Sequence, residues 1–357
     1  MSIAFPKLSC DRFTGLFAGL VLTIPILTSC TAQPTSTNAN QTPATQTASA
    51  NSTDNNQAEK VVRIGYVRWG LLPIVRQRGE LEKKLAAQNI KVEWVGPFPA
   101  FAPVLEAVNA GEVDFTSGGD IPGISGLVGG TPVCVIAYQP PIPEAEAILV
   151  KSDSSIRSPQ DLIGKKVAVN RGGWGEHLLL KVLAQANIPK EQVERVYLSP
   201  TDALPAVTQG HVDAWSVWEP NVSIAEVEHS LRPIASGEAA SHYGVYMVQK
   251  DFLAKDAAVV KATLEAIQQE ADWAVQNKAS AAELFGKSTD LKPDTVKQLG
   301  QEQIVEQVKP LTAQVISGIQ ERADWMYSQK AVPKQIDIRQ SVCPATPGLE
   351  TYTSIQQ

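Results

Sequence analysis

The sequence, 357 residues long, is short of the groups that most metal and covalent chemistry requires. Only four cysteines are present, which excludes a scaffold built on disulfides and a cysteine-rich metal protein. The four histidines are scattered and form no H-E-x-x-H pair, so the arrangement that sets two imidazoles on one helix face for zinc is missing. There is no G-x-S-x-G elbow, no G-x-x-x-x-G-K-[ST] phosphate loop and no G-x-G-x-x-G after a strand, and Gly172-Gly173-Trp174-Gly175 fails the dinucleotide spacing. Basic blocks are absent: 31 Lys and Arg stand against 37 Asp and Glu, a net charge of -6, which argues against a nucleic-acid partner. No apolar run reaches the roughly 20 residues of a membrane-spanning helix. What is present is an ordinary globular balance, 43% hydrophobic and 19% charged, in a chain long enough for two domains.

The first residues read as an address. Lys7 and Arg12 precede Leu16 to Leu27, an almost wholly apolar stretch of the size of a signal-peptide h-region. It ends in Leu27-Thr28-Ser29-Cys30, which resembles the lipobox of bacterial lipoproteins. The resemblance implies that 1–29 is removed and that Cys30 is diacylated on sulfur, tying the chain to a membrane outside the cytoplasm. The alternative is an ordinary secreted protein with a chance cysteine. Residues 31–58 contain no Val, Ile, Leu or aromatic residue and a single charge, Asp54, so they cannot bury a core and are expected to form a disordered tether. Its reach as a flexible coil is on the order of 30 Å. Beyond Cys30, Cys134 and Cys343 lie 209 positions apart. Outside the cytoplasm they are able to pair, while the apolar run Val133 to Ala137 equally suits a buried free thiol at Cys134.

From Glu59 the chain alternates short β-branched runs with helical spacing, which predicts an α/β fold with mainly parallel sheets and helices on both faces. Ser158-Pro159-Gln160-Asp161 and Ser199-Pro200-Thr201-Asp202 are two helix starts, each with a serine N-cap followed by proline. From Phe252 to Tyr327 the spacing is nearly all helical. No repeat of 20–50 residues is visible.

Several stretches together carry a family resemblance. Ser158 to Val169 (SPQDLIGKKVAV) is similar to the S-x-x-D-L-x-G-K-x-V-A stretch of substrate-binding proteins of bacterial ABC importers. Gly210-His211-Val212-Asp213-Ala214-Trp215 and Trp218-Glu219-Pro220 resemble the nitrate/sulfonate/taurine branch. Gly119-Asp120-Ile121-Pro122 and Val332 to Gln340 resemble aliphatic-sulfonate-binding proteins. The resemblance covers residues 61–341. It implies a two-lobed type II periplasmic-binding-protein fold, with lobe 1 from 60–150 plus 246–341, lobe 2 from 151–245, hinges near Val150 and Val245, and a tail from 342–357. It further implies a monomeric binding protein without enzymatic activity or cofactor, which takes a small organic anion, a sulfonate, to an ABC transporter permease. Taurine, nitrate, bicarbonate or an aromatic acid is the alternative ligand, and a ligand-free sensor of the same fold is a further one.

In such a fold a ligand sits outside the carboxyl ends of the strands, where helix N-termini attract anions. Three glycine-bearing loops meet that condition: Arg68-Trp69-Gly70, Gly118-Gly119-Asp120-Ile121, and Arg171-Gly172-Gly173-Trp174-Gly175-Glu176-His177. The third is the best candidate, with backbone N–H groups for the anion and Trp174 over an organic tail. The bland alternative is a βα turn with Trp174 packed on a lobe surface. Arg68 is a candidate ion-pair partner and Trp69 a candidate stacking surface, or both are solvated loop residues. Asp120 and Glu219 are able to hold a ligand amine, while Asp120 and Glu176 also suit helix-start roles. Trp215 reads as core and Trp218 as a candidate cleft residue. His177 reads as part of its helix start, and His211, His229 and His242 carry no pattern.

Overall fold

The computed structural model describes residues 59–240, 242–301 and 307–355. The expected leader, Cys30 and the tether lie outside the described residues. The strands in chain order are β1 (Lys60–Val67), β2 (Ile90–Phe98), β3 (Phe115–Gly119), β4 (Val133–Gln139), β5 (Glu146–Lys151), β6 (Lys166–Val169), β7 (Glu194–Tyr197), β8 (Ala214–Trp218), β9 (Leu231–Ser236), β10 (Gly244–Gln249) and β11 (Lys309–Pro310). They form one sheet in the order β11-β4-β10-β3-β1-β2 and a second in the order β7-β6-β8-β5-β9. The helices that matter below are α1 (Leu71–Arg78), α2 (Glu80–Ala86), α3 (Phe101–Asn109), α4 (Asp120–Gly129), α5 (Trp174–Gln185), α6 (Pro200–Thr208), α7 (Asn221–His229), α8 (Lys250–Gln276), α9 (Lys278–Thr289), α10 (Pro293–Gln301) and α11 (Ala313–Ser328). Among the described residues no helix is long and apolar enough to cross a membrane.

Side chains alternate faces along a strand, and both sheets use that period to bury two cores each. On β10, Tyr246 and Val248 join one core of the first sheet while Val245 and Met247 join the other. On β5, Ile148 and Val150 enter one core of the second sheet, and Ala147 and Leu149 enter the opposite one with Trp215. Sheets covered on both faces need near-continuous apolar strands, which is why runs such as Val133 to Ala137 carry no polar residue.

The expected parallel order holds in β2-β1-β3 and β7-β6-β8. It fails at the strands that carry the chain from one sheet to the other. β10 runs antiparallel to both β3 and β4, and β5 runs antiparallel to both β8 and β9. A strand that enters from the other sheet arrives from the opposite end, so it runs against its neighbours. The crossings also fall earlier than the expected Val150 and Val245. β5 already pairs in the second sheet from Glu146, so the first crossing is at 140–145, and the return is complete at Gly244.

The capping box at Ser158 forms, with Asp161 Oδ2 accepting from the Ser158 N–H at 3.0 Å. It opens only a single 3-10 turn, Pro159–Leu162, because Gly164 takes a φ of +74° and β6 begins two residues later. Cys134 on β4 and Cys343 are joined in a disulfide, which fixes the segment after α11 onto the first sheet. Tyr352, beyond it, is buried in the same core as Cys134.

Candidate functional site

Two helix starts face one another where the two sheets approach. The first is α4, which opens directly from β3 at Gly119-Asp120. Asp120 is 1% exposed, and its carboxylate is fully engaged. Oδ1 accepts from the Ile121 N–H at 2.8 Å and from the Trp174 indole N–H at 3.0 Å. Oδ2 accepts from the Tyr243 N–H at 3.0 Å and lies 3.0 Å from Arg322 Nε. The positive end of α4 is therefore neutralised by the chain's own carboxylate. Trp174, from the second helix start, closes over it. A Cβ on Gly119 would fall 2.6 Å from the Trp174 ring, so only glycine admits the indole there.

The second start is α5, which follows β6 through Asn170-Arg171-Gly172-Gly173. Gly172 has a φ of +62°, the left-handed region that favours glycine. Asn170 Oδ1 accepts from the Gly175 N–H at 3.2 Å and braces the turn. Glu176 is held to one side: it accepts from the Gly172 N–H at 2.8 Å, the Tyr197 hydroxyl at 2.7 Å and Arg195 Nη1 at 2.9 Å. Burial and that carboxylate push the Tyr197 phenol up. Arg171 lies 3.7 Å from the centre of the Tyr197 ring.

Between this start and the end of α11 lies a cavity of about 280 Å³. Arg171, Lys190, Arg195 and Lys330 line it against a single carboxylate, Glu176. Ile121, Leu180, Trp325 and Met326 add apolar and aromatic surface to the same lining. Lys190 Nζ donates to Gln329 at 2.6 Å and ties the turn after α5 to α11. A cavity lined by both cations and an indole suits an anion carrying an organic tail.

A buried polar chain runs behind the cavity. Glu146, at the first residue of β5, accepts from His242 Nδ1 at 2.7 and 2.8 Å. His242 Nε2 lies 2.6 Å from His177 Nδ1. Trp174 stacks on His242 with ring centres 5.1 Å apart, and Trp325 meets His177 edge-on at 4.3 Å. Burial, then the neighbouring His242, pulls the His177 imidazole down to about 2, so its ring is neutral. Burial pushes the Glu146 carboxyl up, and His242 opposes that shift.

The NMT1/THI5 like family matches residues 85–281. A sequence relative from Escherichia coli (strain K12), named for aliphatic-sulfonate binding, is 31% identical over 288 residues, covering 80% of this chain and 90% of its own. The chain belongs to the NMT1/THI5-like family. Among solved structures, the alkanesulfonate-binding protein SsuA from Xanthomonas axonopodis pv. citri, bound to MOPS, shares 31% identity with a TM-score of 0.74 over 80% of this chain and 98% of that one. The periplasmic aliphatic sulphonate binding protein SsuA from Escherichia coli shares 30% identity, again with a TM-score of 0.74, over 82% and 99%. The fold is accordingly that of the periplasmic binding proteins, and the chain is a substrate-binding protein of the ABC-importer type rather than an enzyme.

In this NMT1/THI5-like protein the residues singled out in the sequence divide into two groups. Gly172, Gly173, Glu176, His177 and Ile121 line the cavity, with Trp174, Gly175, Gly119 and Asp120 directly beside it. The others stand apart from it. Arg68 is exposed, and its N–H donates to Phe98 O at 3.3 Å. Trp69 meets Phe285 of α9 edge-on at 5.8 Å, and Gly70 starts α1. Trp218 packs on the core that holds Trp215. Glu219 is fully buried and accepts from the Ser223 N–H at 3.0 Å and the Ser223 hydroxyl at 2.7 Å in the first turn of α7. Sequence reasoning missed Lys190, Arg195, Tyr197, Trp325 and Lys330, which come from three separate segments. Beside its Pro-rich turn Glu146 reads from sequence as a solvated carboxylate, whereas it is 4% exposed, and His242 carries no pattern. Among the described residues no group of three or more His, Cys, Asp or Glu is placed to hold a metal ion.

Proposed function

We propose that this protein is an extracytoplasmic lipoprotein receptor that binds an aliphatic sulfonate between its two halves and hands it to the permease of an ABC importer. The observation that carries the reading is the cavity at the start of α5, whose lining combines Arg171, Arg195, Lys190 and Lys330 with Trp325, Met326 and Leu180. The sulfonate oxygens accept hydrogen bonds from the cations of this lining, and the alkyl chain lies against its apolar residues. An inorganic anion would leave those apolar residues without a partner. The names of the sulfonate-binding relatives support the same class of ligand. The lobes 60–150 plus 246–341 and 151–245, with crossings shifted as described above, close on the ligand, and the closed form is what the permease recognises. Cys30 supplies the anchor through the implied acyl chains.

The test is a thermal-shift panel on the full-length protein with methane-, butane- and octanesulfonate, taurine, sulfate, nitrate and bicarbonate. A ligand at 100 times its Kd stabilises by about 2.7 kcal/mol, a shift of several degrees. Shifts with alkanesulfonates and none with sulfate are expected. A shift with nitrate or bicarbonate alone would move the protein to inorganic anions. For the anchor, Cys30→Ser is expected to release the protein from the membrane fraction.

A further inference from the structure

His177 lines the cavity and is only 2% exposed, yet its Nε2 has no hydrogen-bond partner. A buried ring nitrogen left unmatched in this way costs free energy unless something supplies the missing bond. Its other nitrogen is tied to His242, and His242 to Glu146. The polarity of the free edge is thus not its own to choose. With Glu146 ionised and both rings neutral, the carboxylate accepts from His242 Nδ1–H, His242 Nε2 accepts from His177 Nδ1–H, and His177 Nε2 presents a bare lone pair. One proton taken from solvent reverses the chain. His242 then carries N–H on both nitrogens and donates through Nε2 to His177 Nδ1, and the His177 proton moves to Nε2, which becomes a buried donor in the cavity lining. The added charge rests on His242 beside the Glu146 carboxylate, and His177 is neutral in both states.

We infer that Glu146, His242 and His177 form a relay that reads the polarity of the ligand: a sulfonate, which has only acceptor oxygens, is bound by the form whose Nε2 donates, and its capture takes up one proton. This rests on the sulfonate reading above and adds to it a specificity contact and a pH dependence. The charged groups around the relay come from every element packed on it. Asp120 at the start of α4 and Arg322 on α11 act on Glu146, and Arg322 and Lys181 of α5 act on His177. Arg171, Arg195, Lys190, Lys330 and Glu176 share the cavity with His177. Burial favours the neutral carboxyl at Glu146, in keeping with a proton held on the Glu146–His242 pair. The relay also sits where the chain crosses between sheets, since Glu146 follows the first crossing and His242 precedes β10.

The experiment is calorimetric titration of the full-length protein with the tightest of the three alkanesulfonates between pH 6 and 9. Two buffers of different ionisation enthalpy are used, neither of them a sulfonate. Affinity is expected to fall about tenfold per pH unit above the apparent pKa of the relay, with uptake approaching one proton per ligand there. His177→Gln offers an amide N–H that needs no added proton, so it is expected to bind with a flat profile and no proton uptake. Glu146→Gln is expected to lose the slope as well. Wild-type binding that is intact but flat from pH 6 to 9, without proton uptake, overturns the relay and leaves the sulfonate reading standing. A His177→Gln variant that keeps the wild-type slope overturns it too. No alkanesulfonate binding at any pH overturns both.

Discussion

The starts of α4 and α5 are built alike and used differently. Each follows a strand through glycines, and each has a carboxylate within its first turn. At α4 the carboxylate of Asp120 sits against the helix start itself, with the Ile121, Tyr243 and Trp174 donors and Arg322 all turned onto it. At α5 the carboxylate of Glu176 is shared between the Gly172 N–H, Arg195 and Tyr197, and a cavity bordered by further cations lies beside the helix start. Both starts hold an internal carboxylate, and what sets α5 apart is the surplus of cations around its cavity. The contrast is sharpest if α4 proves to carry stability and α5 to carry affinity.

The largest expected effect is therefore at α4. Asp120→Ala leaves three N–H donors unmatched and takes the carboxylate from the half-buried Arg322, and is expected to cost about 3–5 kcal/mol in urea unfolding. A loss below about 1 kcal/mol would mean that the α4 start is as open as that of α5. Next comes the contact that joins the two. Gly119→Ala places a methyl group 2.6 Å from the Trp174 ring, and pushing the indole away is expected to cost roughly 1–3 kcal/mol. An unchanged stability would show that Trp174 leaves that position without penalty.

The third prediction separates the neutral ring at α5 from the satisfied carboxylate at α4. His177 has a folded-state value of about 2 against 6.5 in the unfolded chain. Below pH 6.5 the unfolded chain takes a proton that folded His177 refuses, so the stability it contributes is present above 6.5 and is lost as pH falls, by about 1.4 kcal/mol at pH 5.5. Glu146, whose value is raised, acts in the opposite sense: its contribution is present at low pH and is lost as pH rises. Unfolding at pH 7.5 and 5.5 is then expected to show the full loss in Glu146→Gln and none in His177→Gln. Equal acid loss in the two variants would remove His177 as its source.

How much of this was legible beforehand follows from what is contiguous. The alternation of strands and helices, the two cores of each sheet and the glycine turn into α5 are local patterns of apolar period and backbone freedom, and they could be read along the chain. Gly172, Gly173, Glu176 and His177 were legible as a site because they are neighbours in sequence as well as in space. Arg195, Tyr197, Lys190, Trp325 and Lys330 were not, because each is an unremarkable surface residue until α11 is laid against α5. The Glu146–His242–His177 chain spans three segments, and no spacing announces it. Trp69 and Glu219 show the converse. A tryptophan or carboxylate at a strand end looks like a ligand contact, whereas Trp69 lies against Phe285 and Glu219 holds the first turn of α7. The antiparallel setting of β5 and β10 was hidden for the same reason, since direction in a sheet depends on which sheet the chain has come from.

The smallest expected change in stability belongs to the residue expected to matter for ligand alone. Arg171 is exposed, and its contact with the Tyr197 ring is of the kind worth about 0.5–1 kcal/mol at the surface. Arg171→Ala is thus expected to change unfolding by less than about 1 kcal/mol. Its loss from the anion's surroundings removes a charged hydrogen bond of about 1.5 kcal/mol, which lowers alkanesulfonate affinity roughly tenfold. Titration of Arg171→Ala beside Arg68→Ala decides between the two loops. If Arg68→Ala weakens binding and Arg171→Ala does not, the anion lies at the start of α1, and the cations around α5 serve only to hold Glu176 and Tyr197 in place. If the reverse holds, the cation-lined cavity beside α5 is the anion's seat, and the surplus of charge there, absent around Asp120, is what put it there.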